Sequence, residues 1–219
     1  MTFRAAVFDL DGTLVDSEPA WEKAKRIVAA RYGVAPTQAQ IDATVGRSLD
    51  VFLVDVFGAT DAAAALRLRT EIFDEADVHL PNVRVAVPGA AAFLRDLSCR
   101  GLKVAICSSS ARRHIEAAVA YLDIGDCIDL IVSAAELDRG KPDPLPYLVT
   151  TQRLAIAPAE SMAFEDAVPG ARSAKDAGLF TVAVGPGCNG PDYAFCDVQV
   201  ENYSELGLNA AINRASDDT

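Results

Sequence analysis

The sequence predicts an α/β fold, in which a doubly wound, Rossmann-like parallel sheet forms the core and a small α-helical domain is inserted. Short apolar runs alternate with segments of helical periodicity over most of the 219 residues. This alternation is typical of parallel strands joined by right-handed helical crossovers. It is broken between residues 18 and 84, where only helical patterns occur.

The apolar runs define the individual elements. Six strands are predicted, near residues 4–9, 103–108, 129–133, 161–165, 180–184 and 197–200. Core helices are expected near residues 89–100, 110–121, 144–155, 167–177 and 204–214, and helices of the inserted segment near 18–32, 37–45, 48–57 and 60–77. We therefore divide the chain into a core, residues 1–17 and 85–219, and a helical domain, residues 18–84.

Composition limits the classes of partner. A net charge of −11 without a basic stripe argues against nucleic acid as a partner. No apolar stretch approaches the ~20 residues of a membrane helix, and the N-terminal apolar run is too short for a signal peptide. The five cysteines, an odd number without metal-type pairs, are typical of a reducing compartment, so a cytoplasmic location is expected.

Two carboxylates follow the first predicted strand. Asp9 and Asp11 come directly after the apolar residues 5–8, and Gly12 then allows a tight turn. Carboxylates beside a buried strand are costly to desolvate unless a cation accompanies them. Mg²⁺ is a cation that takes oxygen ligands of this kind and leaves room for phosphate. The alternative interpretation is an acidic turn that binds only solvent.

The second predicted core strand ends in serines. Ser108 closes the apolar run 104–107, and helical periodicity begins a few residues later. A strand, a serine turn and a helix N-terminus together favour anion binding, because free backbone N–H groups point at the ligand. Either Ser109 or Ser110 is also expected to cap the helix, which is compatible with phosphate binding at Ser108.

A lysine and two adjacent acids complete the pattern. Lys141 lies between Gly140 and Pro142, on a stiff loop where a fixed ammonium would keep Asp9 ionised. Taken alone, it would be an ordinary solvated lysine. Glu165 and Asp166 end another apolar run, and by themselves they would indicate only an acidic helix N-terminus. Because adjacent residues point in opposite directions on a strand, the two acids cannot serve a metal equally.

These four motifs, in this order, resemble the haloacid dehalogenase-like phosphohydrolases. The sequence Asp-Leu-Asp-Gly-Thr at residues 9–13 resembles their first motif, and Gly-Lys-Pro-x-Pro and Glu-Asp-x-x-x-Gly resemble two later ones. The resemblance implies Asp9 as nucleophile and Asp11 as general acid and base. It implies Mg²⁺ held by Asp9, the Asp11 carbonyl and Asp166, with Glu165 assisting less directly. The residues implied to bind the phosphoryl group are Ser108, Ser109 and Lys141.

The same resemblance interprets the helical insertion as a cap domain. Val-Gly-Arg-Ser at residues 45–48 resembles the cap loop that reaches the catalytic centre, so Arg47 is a candidate substrate contact. The alternative is a solvated arginine before a helix capped by Ser48. Trp21 is expected to pack between the cap and the core rather than to stack on a sugar.

The family includes several activities. Residues 16–21 resemble the sugar- and polyol-phosphate phosphatases, which favours a Mg²⁺-dependent phosphatase acting through an aspartyl-phosphate. The alternatives are a β-phosphoglucomutase-type hexose-phosphate mutase and a phosphoglycolate phosphatase. Such mutases typically have valine and histidine where Thr13 and Trp21 stand here. The expected partner is a small phosphorylated metabolite, with the chain a monomer or weak homodimer.

Overall fold

The computed structural model describes residues 3–43 and 49–204, and its core is a six-stranded parallel sheet. The strands of the chain are β1 (Ala5–Phe8), β2 (Val15–Asp16), β3 (Val85–Ala86), β4 (Lys103–Ser108), β5 (Leu130–Ser133), β6 (Ser161–Glu165), β7 (Phe180–Val184) and β8 (Val198–Val200). Their order in the main sheet is β5-β4-β1-β6-β7-β8, while β2 and β3 pair separately.

The described helices follow the predicted pattern to within three residues at each end, and α4 extends two residues past its predicted end. They are α1 (Glu18–Arg31), α2 (Gln38–Asp42), α3 (Asp50–Phe57), α4 (Ala62–His79), α5 (Ala90–Cys99), α6 (Arg112–Tyr121), α7 (Leu145–Leu154) and α8 (Val168–Asp176). The predicted helix at 204–214 lies outside the described residues, as do residues 44–48. The short strands β2 and β3 were not predicted, because two-residue strands leave no periodic signal.

Strand β1 lies in the middle of the sheet and is covered on both faces. All four of its side chains are fully buried. Because side chains alternate along a strand, Ala6 and Phe8 pack into one apolar cluster, while Val7 packs into another. Burial on both faces explains why this strand is a continuous apolar run without polar alternation. The predicted α/β fold with a Rossmann-like parallel sheet is confirmed.

Aromatic side chains fill the larger of these two clusters. Phe8 and Phe164 lie on neighbouring strands and stack with ring centroids 4.6 Å apart. Phe93, on α5, meets the ring of Phe164 edge-on at 5.3 Å. These contacts hold α5 against β1 and β6, the two strands that end in Asp9 and Glu165.

The chain divides into two compact units, one formed by Met1–Asp16 with Ala86–Thr219 and the other by Ser17–Val85. The second unit has its own apolar core, which includes Val28 of α1, Phe52 of α3 and Ile72 of α4. Among the described residues, none of the helices has both the length and the apolar character that crossing a bilayer requires.

Replacing Phe8 by alanine should destabilise the sheet unit by about 3–5 kcal/mol, because a fully buried ring is removed from a packed cluster. Tyr121→Ala is the matched control, since this aromatic residue of the same unit is 51% exposed. It should cost about 1 kcal/mol or less. Urea unfolding followed by circular dichroism measures both, and equal losses would contradict the packing described here.

Candidate active site

The candidate active site is built at the carboxyl ends of β1, β4 and β6, which are neighbours in the sheet. Asp9 follows β1 directly, and its backbone N–H donates to the Phe164 carbonyl at 3.0 Å, so it is held as a continuation of the strand. Its side chain is almost fully buried. Parallel strands bring their carboxyl ends to one edge of a sheet, where α/β proteins bind ligands.

The turn after β1 packs closely against Asp166. Gly12 has φ of +87°, and a Cβ there would lie 2.0 Å from Asp166 Oδ2. Any side chain at position 12 would therefore meet both backbone strain and the carboxylate. The Thr13 hydroxyl donates to Asp166 Oδ1 at 3.0 Å. The turn thus both makes room for Asp166 and fixes its orientation.

Lys141 is the cation of the site. Its Nζ lies 2.6 Å from Asp9 Oδ1, 2.6 Å from Glu165 Oε1 and 2.8 Å from the Cys107 carbonyl. The side chain is only 7% exposed. An ammonium has three donors, and here each has an acceptor, so the buried charge is fully compensated.

The loop that carries Lys141 is tied to two helices. Asp143 accepts from the Leu145 N–H at 2.9 Å, at the start of α7. Its carbonyl accepts from the Ser173 hydroxyl of α8 at 2.6 Å. These hydrogen bonds restrict the loop in addition to the flanking proline that the sequence prediction used.

Glu165 ends β6 and is 1% exposed. Its Oε1 accepts from Lys141 and from the Tyr147 hydroxyl, the latter at 2.5 Å. On another side it lies against Gly170 of α8, where a Cβ would fall within 2.2 Å of all three carboxyl-group atoms. The glycine of the Glu-Asp-x-x-x-Gly motif is therefore required for space.

Asp166 is held through its backbone as well as its side chain. Its carbonyl accepts from the Tyr193 hydroxyl at 2.5 Å and from the Cys188 thiol at 3.4 Å. Both donors lie in the segment between β7 and β8. A backbone held at this point limits the freedom of the carboxylate that it carries.

The three acids form a cluster that could hold a metal ion. One oxygen each from Asp9, Glu165 and Asp166 lies within 4.8 Å of the others. Lys141 supplies one positive charge against three carboxylates, which leaves the cluster negative. Hard carboxylate oxygens at this spacing suit a divalent cation such as Mg²⁺ or Ca²⁺.

Burial and the repulsion between neighbouring carboxylates raise the pKa values of two acids in the cluster. Burial raises the pKa of Asp9 well above its usual value; Lys141 opposes this, and the charges of Glu165 and Asp166 add to it. Burial, together with the charge of Glu165, raises the pKa of Asp166 to about 7. The expectation that Lys141 keeps Asp9 ionised is therefore incomplete, because in this metal-free chain burial and like charges outweigh the ammonium.

The two donors of Glu165 keep their protons. Burial alone would lower the pKa of Lys141, but the charges of Asp9 and Glu165 more than offset it and raise the pKa above its usual range. Burial and the nearby carboxylates likewise raise the pKa of the Tyr147 hydroxyl. Lys141 is thus a permanent cation and Tyr147 a permanent neutral donor.

The carboxylate of Asp11 lies in a different hydrogen-bond network. Its Oδ2 accepts from the Ser110 hydroxyl at 2.6 Å. The Ser110 N–H donates to Ser108 Oγ at 3.0 Å, and the Ser110 carbonyl accepts from Ser133. Asp11 is therefore joined to the end of β4, while Asp9 is joined to Lys141.

One prediction about these serines is wrong. Helix α6 begins at Arg112 with Ala111 as its N-cap residue and no side-chain cap, so neither Ser109 nor Ser110 caps it. The N-cap position falls on Ala111, one residue beyond Ser110, and the Ser110 hydroxyl donates to Asp11 instead. Ser109 is exposed, next to the buried Ser108.

The structure places six of the eight predicted site residues in two groups of contacts: Asp9, Lys141, Glu165 and Asp166 form one, and Asp11 and Ser108 are linked through Ser110 in the other. Ser109 lies beside them, and Arg47 lies outside the described residues. Sequence reasoning missed Tyr147, the link from Ser110 to Asp11, and Tyr193. A tyrosine in the first turn after the Lys141 loop was the available signal, but only the fold shows that it points at Glu165.

Comparisons with known proteins agree with this geometry. A family model described as haloacid dehalogenase-like hydrolase matches residues 6–184. The chain is 28% identical to validoxylamine A 7'-phosphate phosphatase of Streptomyces hygroscopicus subsp. limoneus, over 93% of this chain and 96% of the relative. It is 29% identical to hexitol phosphatase B of Escherichia coli K12, over 92% and 93% respectively.

The fold is also similar to that of solved structures. The crystal structure of β-phosphoglucomutase from Clostridium difficile matches with a TM-score of 0.76 and 23% identity, covering 98% of this chain and 99% of the other. At that identity, the likeness concerns the fold alone.

The raised pKa of Asp166 predicts a pH dependence of stability in EDTA. Because the folded value, about 7, exceeds the usual 3.8, this group's contribution is fully present below about pH 4 and is lost as the pH rises through about 7. The melting temperature of the wild type should therefore fall, relative to that of Asp166→Asn, between about pH 5 and about pH 8. If the melting temperatures of the two proteins instead change with pH by the same amount, Asp166 has an ordinary pKa.

Proposed function

We propose that the chain, which belongs to the haloacid dehalogenase-like hydrolase family, is a phosphatase that hydrolyses a small phosphomonoester, specifically a sugar or polyol phosphate. The observation that carries this proposal is the buried Lys141 bridging Asp9 and Glu165 at the edge of the sheet. Support for the substrate class comes from relatives named as hexitol phosphatase B and validoxylamine A 7'-phosphate phosphatase.

The proposed cofactor is Mg²⁺. The donor set fits it, since three hard carboxylates converge and one ammonium leaves them with excess negative charge. Asp9, Glu165 and Asp166 would hold the ion, together with the Asp11 carbonyl. When bound, Mg²⁺ supplies positive charge that keeps Asp9 ionised and offsets the charge on the phosphoryl oxygens.

Asp9 is the proposed nucleophile. One of its oxygens attacks phosphorus in line, the new O–P bond forms, and the bond from phosphorus to the substrate oxygen breaks. The product is an aspartyl-phosphate and a free alcohol. Lys141, 2.6 Å from Asp9, is placed to neutralise a phosphoryl oxygen as negative charge moves through the site. Water then attacks the phosphorus and releases phosphate and free Asp9.

Asp11 is the proposed general acid and base. Its carboxylate accepts from the Ser110 hydroxyl, in a separate hydrogen-bond network from the Asp9–Lys141 pair. It donates a proton to the leaving alcohol and then accepts one from the attacking water. Ser108 and Ser109 are proposed to donate to the phosphoryl oxygens.

Substrate specificity, oligomeric state and cellular location are also part of the proposal. We propose that residues 18–84 act as a cap domain and that Arg47 contacts the substrate. The chain would act as a monomer or weak homodimer on a small metabolite. A cytoplasmic location is proposed from the five cysteines, each of which is free.

A hexose-phosphate mutase is the second candidate, because the fold matches that of a β-phosphoglucomutase. Thr13 weighs against it, since its hydroxyl binds Asp166 where a valine, expected in those mutases, would have none to offer. A phosphoglycolate phosphatase is the third candidate and shares the same site chemistry.

A substrate panel tests the proposed function. Phosphate release should occur with one or a few sugar or polyol phosphates in Mg²⁺ and disappear in EDTA, because the acid cluster then lacks its cation. Phosphoglycolate, nucleotides and β-glucose 1-phosphate complete the panel. Conversion of β-glucose 1-phosphate to glucose 6-phosphate without phosphate release would identify a mutase instead, and a preference for phosphoglycolate would correct the substrate class.

Substitution by asparagine distinguishes the proposed roles of Asp9 and Asp11. Asp9→Asn should reduce turnover to background, because an amide cannot form the acyl-phosphate. Asp11→Asn should lower kcat by about 10²–10⁴-fold for a sugar phosphate, and much less for an aryl phosphate whose leaving group needs no proton. Asp192→Asn makes the same chemical change at an exposed position and should leave turnover unchanged. Substantial activity in Asp9→Asn would exclude the covalent route.

A further inference from the structure

Tyr147 is a buried side chain of the candidate site that the proposed chemistry does not use. It lies in the first turn of α7 and is 0% exposed. Its hydroxyl donates to Glu165 Oε1 at 2.5 Å, and its ring centroid lies 5.2 Å from Lys141 Nζ. A buried hydroxyl is costly unless it is hydrogen-bonded, so placing a tyrosine here calls for a role of the O–H group.

The two carboxylate oxygens of Glu165 differ in the hydrogen bonds that they accept. Oε1 accepts from both Lys141 and Tyr147, while no residue in the described ranges donates to Oε2. The backbone at Gly170 lies against the carboxylate and allows no side chain there. Two donors on one oxygen fix the rotation of the carboxylate and leave the second oxygen available.

We propose that Tyr147 is a positioning residue for the metal site: with Lys141 it holds Glu165 Oε1, so that Oε2 is presented to a divalent cation. This inference rests on the proposed function, because it needs a bound cation. It identifies Oε2 as the oxygen of Glu165 that would bind the metal. Helix α7 would contribute to the metal site through the Tyr147 hydroxyl.

The chain connects these donors through a short, well-anchored segment. Lys141 and Tyr147 are separated by a loop and part of one helical turn, and Ser173 holds that loop through the Asp143 carbonyl. The Thr151 hydroxyl donates to the Tyr147 carbonyl at 3.1 Å, one turn further along α7. A displacement of α7 would therefore move both donors of Glu165 together.

The test compares two tyrosine-to-phenylalanine variants. Tyr147→Phe keeps the ring beside Lys141 and removes only the hydroxyl. Tyr203→Phe is the matched control, because Tyr203 is also buried in the sheet unit, but within the described residues its hydroxyl has no hydrogen-bond partner. Isothermal titration with Mg²⁺ should give an affinity about 10–100-fold weaker for Tyr147→Phe and unchanged for Tyr203→Phe.

A second readout separates positioning from simple stability. A structural role alone would lower the melting temperature of Tyr147→Phe equally in EDTA and in Mg²⁺. A positioning role should also reduce the rise in melting temperature that Mg²⁺ produces, and should raise the Mg²⁺ concentration for half-maximal activity. The KM for the substrate should stay close to that of the wild type, since Tyr147 is buried behind Glu165.

The outcomes distinguish this inference from the proposed function. A wild type that binds no Mg²⁺ would overturn both, whereas equal Mg²⁺ affinity in wild type and Tyr147→Phe would overturn the inference alone. If Tyr147→Phe does not fold, a crystal structure of the wild type with Mn²⁺ decides. Glu165 Oε2 on the ion, with Oε1 still on Tyr147, supports the inference, and Oε1 on the ion overturns it.

Discussion

Two buried carboxylates, Asp9 and Glu165, share one buried ammonium at the carboxyl edge of the sheet, beside the partly buried Asp166, and most of the local structure serves to make this arrangement stable. Removing an ion from water costs several kcal/mol even after relaxation, so acids in such a place need compensating charge and hydrogen bonds. Lys141 supplies both to Asp9 and Glu165 and uses all three of its donors in doing so. The compensation is incomplete, as the raised pKa of Asp166 shows. The remaining negative charge is what makes the cluster suited to a divalent cation and a phosphate.

The surrounding elements follow from this constraint. The parallel sheet brings the ends of β1, β4 and β6 together, and an apolar cluster covers each of its two faces. Gly12 and Gly170 leave room where a side chain would collide with Asp166 and Glu165. Helices α7 and α8 hold the Lys141 loop, and Tyr147 adds a neutral donor where a second cation would remove the charge needed to bind metal. The strands and helices that form the core at this edge are therefore the same elements that position the residues of the site.

Much of the fold and part of the site could be predicted from the sequence. The apolar runs locate all six strands of the sheet, because parallel strands covered on both faces are continuous in hydrophobicity. The motifs single out Asp9 and Lys141 from local features, a strand end and a Gly-Pro loop, and the structure brings their side chains within 2.6 Å of each other. The serine cap was wrong because α6 begins at Arg112, so that Ala111 takes the N-cap position. The contact that Ser110 makes instead is non-local, since Asp11 is 99 positions away in the chain. Tyr147 was missed for the same reason, since nothing near it in sequence indicates Glu165.

The central claim is that Asp9 carries the phosphoryl group during turnover. An acyl-phosphate is reduced by borohydride to an alcohol, so a quench during hydrolysis of a sugar phosphate marks the nucleophile permanently. Peptide mass spectrometry should then find homoserine in place of Asp9, in protein quenched with substrate and Mg²⁺ and not in protein quenched without substrate. Reduction at another carboxylate, or an unmodified Asp9 in protein that is turning over, would contradict the account.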